Sequence, residues 1–195
     1  MIARHTVYDT SRETVPPLLR HWMVGAVECG EPLIDLTAVP SLRLRPTRRT
    51  DLPVRLRLGV VDRIVAAQSL LPVHLRLLVV DGYRTARAQA GHAESAMPGP
   101  LGHHTGGEAD LTLCDPLGQE LWLGSAVYDI DPTGTPPELT VEIQCRRLLL
   151  RRVLSTVGMV GSPHAWWHWC YGSREWAGVT GARTAPYHDI GTAEP

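Results

Sequence analysis

The chain has 195 residues, enough for one domain with a sizeable core, and at 44% hydrophobic and 20% charged it has the profile of an ordinary soluble globular protein. A net charge of −1 offers no overall basic surface for nucleic acid, and apolar runs such as 77–80 and 148–150 are far too short to span a membrane. All 19 basic residues are arginine, so lysine Schiff-base and P-loop chemistry are excluded.

The first residues, Met1 to His5, lead into Thr6 and Tyr8 rather than an apolar stretch, so no export signal is expected. A cytoplasmic setting with four reduced thiols (Cys29, Cys114, Cys145, Cys170) follows. Residues 1–50 read as irregular and proline-punctuated, with a short apolar segment at 32–36. Over 53–71, Leu56, Val60, Ile64, Ala67 and Leu71 recur at helical spacing, with Pro53 in the first turn and Pro72 as the stop. Residues 74–81 read as a buried strand and 85–97 as a short helix. Residues 108–114 alternate as a strand, and the turn at 115–118 predicts a hairpin over 108–123. Residues 129–137 read as a loop and 139–157 as a second long helix, whose Arg146, Arg147, Arg151 and Arg152 form a solvated face. The aromatic run 165–171 is strand-like. Two long helices and several short strands without strict alternation predict a single α+β domain over 1–195, with a small, mainly antiparallel sheet flanked by the two helices.

Nine histidines are present, and two stand in suggestive company. His103 and Asp110 are separated by Thr105, Gly106 and Gly107, whose glycines let the backbone turn closely around a bound group. His168 lies among Trp166, Trp167 and Trp169. Two histidines and a carboxylate, with a fourth position open, make a catalytic zinc set. Spacing alone leaves open a hydrogen-bonded loop histidine and a capping aspartate.

Four segments in order resemble the D-alanyl-D-alanine dipeptidases, zinc enzymes of the D,D-peptidase superfamily with a Hedgehog-like fold: 29–36 (CGEPLIDL), 77–84 (LLVVDGYR), 103–107 (HHTGG) with 110–113 (DLTL), and 166–172 (WWHWCYG). The resemblance covers most of the chain. It implies zinc as cofactor, His103, Asp110 and His168 as its ligands, and Arg84 as the group that stabilises the tetrahedral oxyanion. It also implies a small-molecule or dipeptide substrate. Asp81 would hold Arg84 or a substrate ammonium, or form a simple structural salt bridge.

The pattern breaks at one position. The family has a glutamate three residues before the second histidine, acting as general base and then general acid; here that residue is Ala165. Losing such a group costs about 10²–10⁴ in rate. Glu108 stands where the family has a small residue, and on a strand it shares a face with Asp110. A relocated carboxylate at Glu108 is therefore expected near the metal, as base or as ligand, unless it points to solvent at the strand end. A shorter segment between Arg84 and His103, with Thr85 and Leu101 at unusual positions, suggests a changed substrate. His104 and His164 flank the site. Hydrolysis of a dipeptide-like amide, non-hydrolytic metal chemistry in specialised metabolism, and a metal-bound pseudoenzyme all remain open.

Overall fold

The computed structural model describes residues 24–46, 53–85, 102–129 and 139–191. Its centre is a five-stranded sheet in the order β3 (Arg43–Leu44), β5 (Arg76–Asp81), β6 (Glu108–Cys114), β8 (His168–Cys170) and β7 (Val160–Gly161). The β3–β5 pairing is parallel and the others are antiparallel. Two small ribbons accompany it. In one, β2 (Leu33–Asp35) pairs antiparallel with β4 (Arg55–Arg57); in the other, β1 (Gly25–Ala26) lies parallel to β9 (Thr184–Ala185). The fold is α+β. No helix among the described residues is long and apolar enough to cross a membrane.

Alternation along the strands assigns the two faces of the central sheet. Leu77 and Val79 of β5, Ala109, Leu111 and Leu113 of β6, and Trp169 of β8 all belong to the main core. Against them pack Val60, Val61, Ile64 and Ala67 of α1 (Leu58–Ser69) and Leu150, Val153 and Leu154 of α2 (Val141–Thr156). The two long helices thus share one face of the sheet rather than standing on either side of it. The intervening residues, Glu108, Asp110, Thr112 and His168, lie on the opposite face and are buried as well. Every residue of β6 is buried, so this strand is covered on both faces.

Several expected boundaries shift for tertiary reasons. The helix expected over 53–71 begins at Leu58, because residues 55–57 are drawn into a ladder with 33–35. Arg57 makes no side-chain cap, and the Glu31 carboxylate instead accepts from the Gly59 N–H at 2.7 Å, placing a negative charge at the helix start. The strand expected from 74 begins at Arg76, after a turn closed from Leu75 N to Pro72 O. The hairpin expected over 108–123 forms only at its turn end, with no second strand. Asp115 Oδ1 accepts from Leu117 N and Gln119 N, making the predicted turn, and the return is limited to the bridge between Cys114 and Glu120, with Asp115 N donating to Gln119 O and Leu121 N to Leu113 O. β8 takes the same edge of β6 at 108–110, so the return cannot extend past the first residues after the turn.

α2 runs close to its expected span, with Thr140 as N-cap. Its arginine face is only partly solvated: Arg151 and Arg152 are exposed, whereas Arg146 and Arg147 donate to the carbonyls of Trp122 and Leu123. Of the aromatic run 165–171, only His168–Cys170 is strand. A third helix, α3 (Arg174–Thr180), escapes the periodicity reading although Ser173 caps its start and Gly181 ends it at φ 75°. The helix expected over 85–97 and most of the loop over 129–137 fall outside the described residues, as does Leu101.

Candidate metal centre

The register of β6 and β8 sets Asp110 directly opposite His168. His103 reaches the same point from the loop before β6. That loop is tied to the end of β5 by Arg84 N donating to His103 O at 3.0 Å. Asp110 Oδ1 lies 3.2 Å from His103 Nε2 and 3.1 Å from His168 Nδ1. One ligand atom from each of the three residues falls within 4.8 Å of the others, and all three side chains are fully buried. Burial alone would push the Asp110 carboxyl up; the imidazoles of His103 and His168 outweigh it and hold the group well below the usual carboxylate range.

The two rings present different nitrogens. His103 Nδ1 sits 2.7 Å from the carbonyl oxygen of Gly82, which can only accept, so Nδ1 carries a proton and Nε2 is the nitrogen turned towards Asp110. His168 faces Asp110 through Nδ1 instead. Two imidazole nitrogens and one carboxylate oxygen converging in a buried site form a donor set suited to zinc or a similar divalent ion.

Asp110 Oδ2 is held from the other side. Arg84, 4% exposed, donates from Nη2 to Asp110 Oδ2 at 3.0 Å and from Nε to Asp81 Oδ2 at 3.0 Å. Asp81 therefore holds Arg84. The Tyr128 hydroxyl donates to the same Asp110 oxygen at 2.9 Å. Burial and the Asp110 and Asp81 carboxylates push the Tyr128 phenol up, so it stays a neutral donor. Tyr128 has a backbone φ of 70°, an uncommon left-handed conformation for a non-glycine residue. No sequence signal marks it, because nothing local calls for positive φ at a tyrosine.

Glu108 faces the interior rather than solvent. It lies opposite Cys170, on the same face as Asp110, and accepts from Thr105 Oγ1 at 2.7 Å. Burial raises its carboxyl against the hydrogen bond from Thr105. It is outside the three-residue cluster that could hold an ion. Ala165 is fully buried in an apolar cluster with Val80, Val127 and Trp167, and its carbonyl accepts from His168 N. His164 is exposed and His104 half-buried; neither joins the cluster. A residue the sequence reading missed is Glu175, in the first turn of α3, whose Oε2 lies 3.8 Å from His168 Nε2. Its visible signal is the capping Ser173 two residues earlier, which marks a helix start but no role in the site.

No family model matches the chain. Among curated proteins it is similar to a D-alanyl-D-alanine dipeptidase of Synechocystis sp., 26% identical over 222 residues that cover 83% of this chain and 90% of that protein. It is also similar to a D-alanyl-D-alanine dipeptidase of Escherichia coli, 31% identical over 105 residues covering 48% of this chain and 54% of the other. The chain is thus a distant relative of dipeptidases.

Proposed function

We propose that the protein is a zinc enzyme related to the D-alanyl-D-alanine dipeptidases, a single cytoplasmic domain of Hedgehog-like architecture that cleaves a small dipeptide-like amide. The observation that carries this reading is the convergence of His103 Nε2, Asp110 Oδ1 and His168 Nδ1 in one fully buried cluster. A zinc ion held there would supply Lewis acidity and a water of pKa about 7. The chain's own residues divide the remaining work. Gly82 O fixes the tautomer of His103. Arg84 and Tyr128 tie down Asp110 Oδ2, so the carboxylate offers one oxygen to an ion and keeps its orientation. Arg84, always charged and braced by Asp81, is the donor for the oxyanion of an attacked carbonyl.

A second reading is favoured by a specific pair of observations. Ala165 lies in an apolar cluster and carries no proton-transferring group, while Glu108 is a buried carboxylate on the face that holds Asp110. Such a site suits a repurposed metal enzyme performing cyclisation, isomerisation or elimination. Hydrolysis of D-Ala-D-Ala by the zinc-loaded protein and by Ala165→Glu separates the readings. Turnover by the unmodified chain supports the dipeptidase. Turnover only after Ala165→Glu supports the repurposed site. Zinc binding with no turnover in either leaves a pseudoenzyme.

A further inference from the structure

We propose that Glu175 is a positioning residue for His168: its carboxylate accepts the Nε2–H of that imidazole and so reserves Nδ1 for the metal. The proposal rests on the metal-site reading above and adds to it a residue outside the three ligands. Each ring needs its second nitrogen held if the first is to be aimed. For His103 the holder is the Gly82 carbonyl. For His168 the group beyond Nε2 is Glu175 Oε2, at 3.8 Å. That oxygen is buried and accepts no hydrogen bond among the described residues, and Glu175 as a whole is 8% exposed. A carboxylate withdrawn from water with an uncovered oxygen is costly to the fold, all the more with Glu108 nearby as a second buried acid. Such a group is retained at a cost unless it has a cationic partner, and a metal-loaded imidazole is one.

The separation of 3.8 Å exceeds a hydrogen bond, so the role requires a torsional adjustment of the glutamate side chain when the metal is bound. Loading of Nδ1 draws electron density from the ring and makes Nε2–H a stronger donor. The carboxylate returns that density and raises the basicity of the ligating nitrogen. Glu108, the other buried acid on this side, is engaged by the Thr105 hydroxyl.

The test compares zinc affinity, by chelator competition, in the full chain and in Glu175→Gln. The expected rise in Kd is about 10–100-fold. The melting temperature of the metal-free protein should hold or rise, since a buried charge is removed. A purely structural residue would give the opposite split: lower metal-free stability and unchanged affinity. A rise in Kd smaller than about tenfold overturns the role. A second measurement needs no variant. In zinc-loaded unmodified protein, ¹⁵N imidazole spectra should show His168 with Nε2 protonated and Nδ1 bound; the reverse assignment overturns the proposal. Asp110→Ala keeps the two failures apart. If neither the unmodified chain nor this variant binds zinc, or both bind it equally, the metal site itself is wrong and Glu175 falls with it. If Asp110→Ala alone abolishes binding while Glu175→Gln matches the unmodified chain, only the positioning role is lost.

Discussion

Arg84 carries two tasks on one planar group. Its Nε and Nη2 reach different carboxylates, Asp81 and Asp110, and Nη2 also donates to the Tyr128 hydroxyl at 3.3 Å. Lysine keeps the charge but has no rigid fork to span two acids. Arg84→Lys should therefore lower turnover of an amide substrate by about 10²–10³, the usual effect of removing one oxyanion donor, while zinc stoichiometry is retained. Steady-state kinetics with metal analysis checks both. Undiminished turnover would remove Arg84 from the chemistry and leave it as a brace for Asp110.

At the scale of elements, the centre depends on how the end of β5 meets β4. The Gly82 N–H is held by Asp81 Oδ1, the next residue, Tyr83, donates its N–H to Arg55 O, and the Gly82 carbonyl turns to His103. A Cβ at Gly82 would lie 2.6 Å from Arg55 O, a backbone atom that cannot swing aside. Gly82→Ala must push β5 away from β4 and carry the His103 acceptor with it. The expected cost is about 1–3 kcal/mol of stability, as for other overpacked positions, together with weaker zinc binding. Thermal denaturation and chelator competition on the same preparation check the pair; a variant with normal affinity would show that His103 is aimed by other contacts.

Across the whole molecule, one ion pair gathers segments far apart in the chain. Glu28 accepts from both terminal nitrogens of Arg57 at 2.9 Å, from Gly30 N, and from His188 N at 3.1 Å. Arg57 in turn donates from Nε to Thr105 O, in the loop that carries His103. Partial burial alone would raise the Glu28 carboxyl; the N–H groups of Gly30 and His188 and the Arg57 guanidinium outweigh it and hold the group below the usual carboxylate range. A folded-state value below 4.5 means the stabilisation is present above that pH and is lost as pH falls through the folded value. Because the Glu28 side chain is 41% exposed, it contributes no more than about 1 kcal/mol. The stability gap between the unmodified chain and Glu28→Gln should accordingly be widest at neutral pH and close as the pH falls below 4.5. Denaturant unfolding at several pH values measures it, and a gap that widened in acid would contradict the sign.

The sequence by itself determined what depends on local order. The 3.6-residue period places α1 and α2, the apolar run 77–80 places β5, and period-two alternation puts Glu108 and Asp110 on one face. The three candidate ligands were legible because they sit in two short motifs, His103 and Asp110 in one and His168 in the other, and the structure brings all three together. Tertiary structure decided what depends on partners distant in the chain. Residues 55–57 read as helix until 33–35 offers a ladder, and the return of the expected hairpin is cut short where β8 takes the edge of β6. Tyr128 and Glu175 stand 18 and 7 residues from the ligands they approach, with no local pattern to announce them. Which nitrogen each histidine turns inward was likewise invisible, since a tautomer is set by the group behind the ring. That group is a glycine carbonyl 21 residues away for His103.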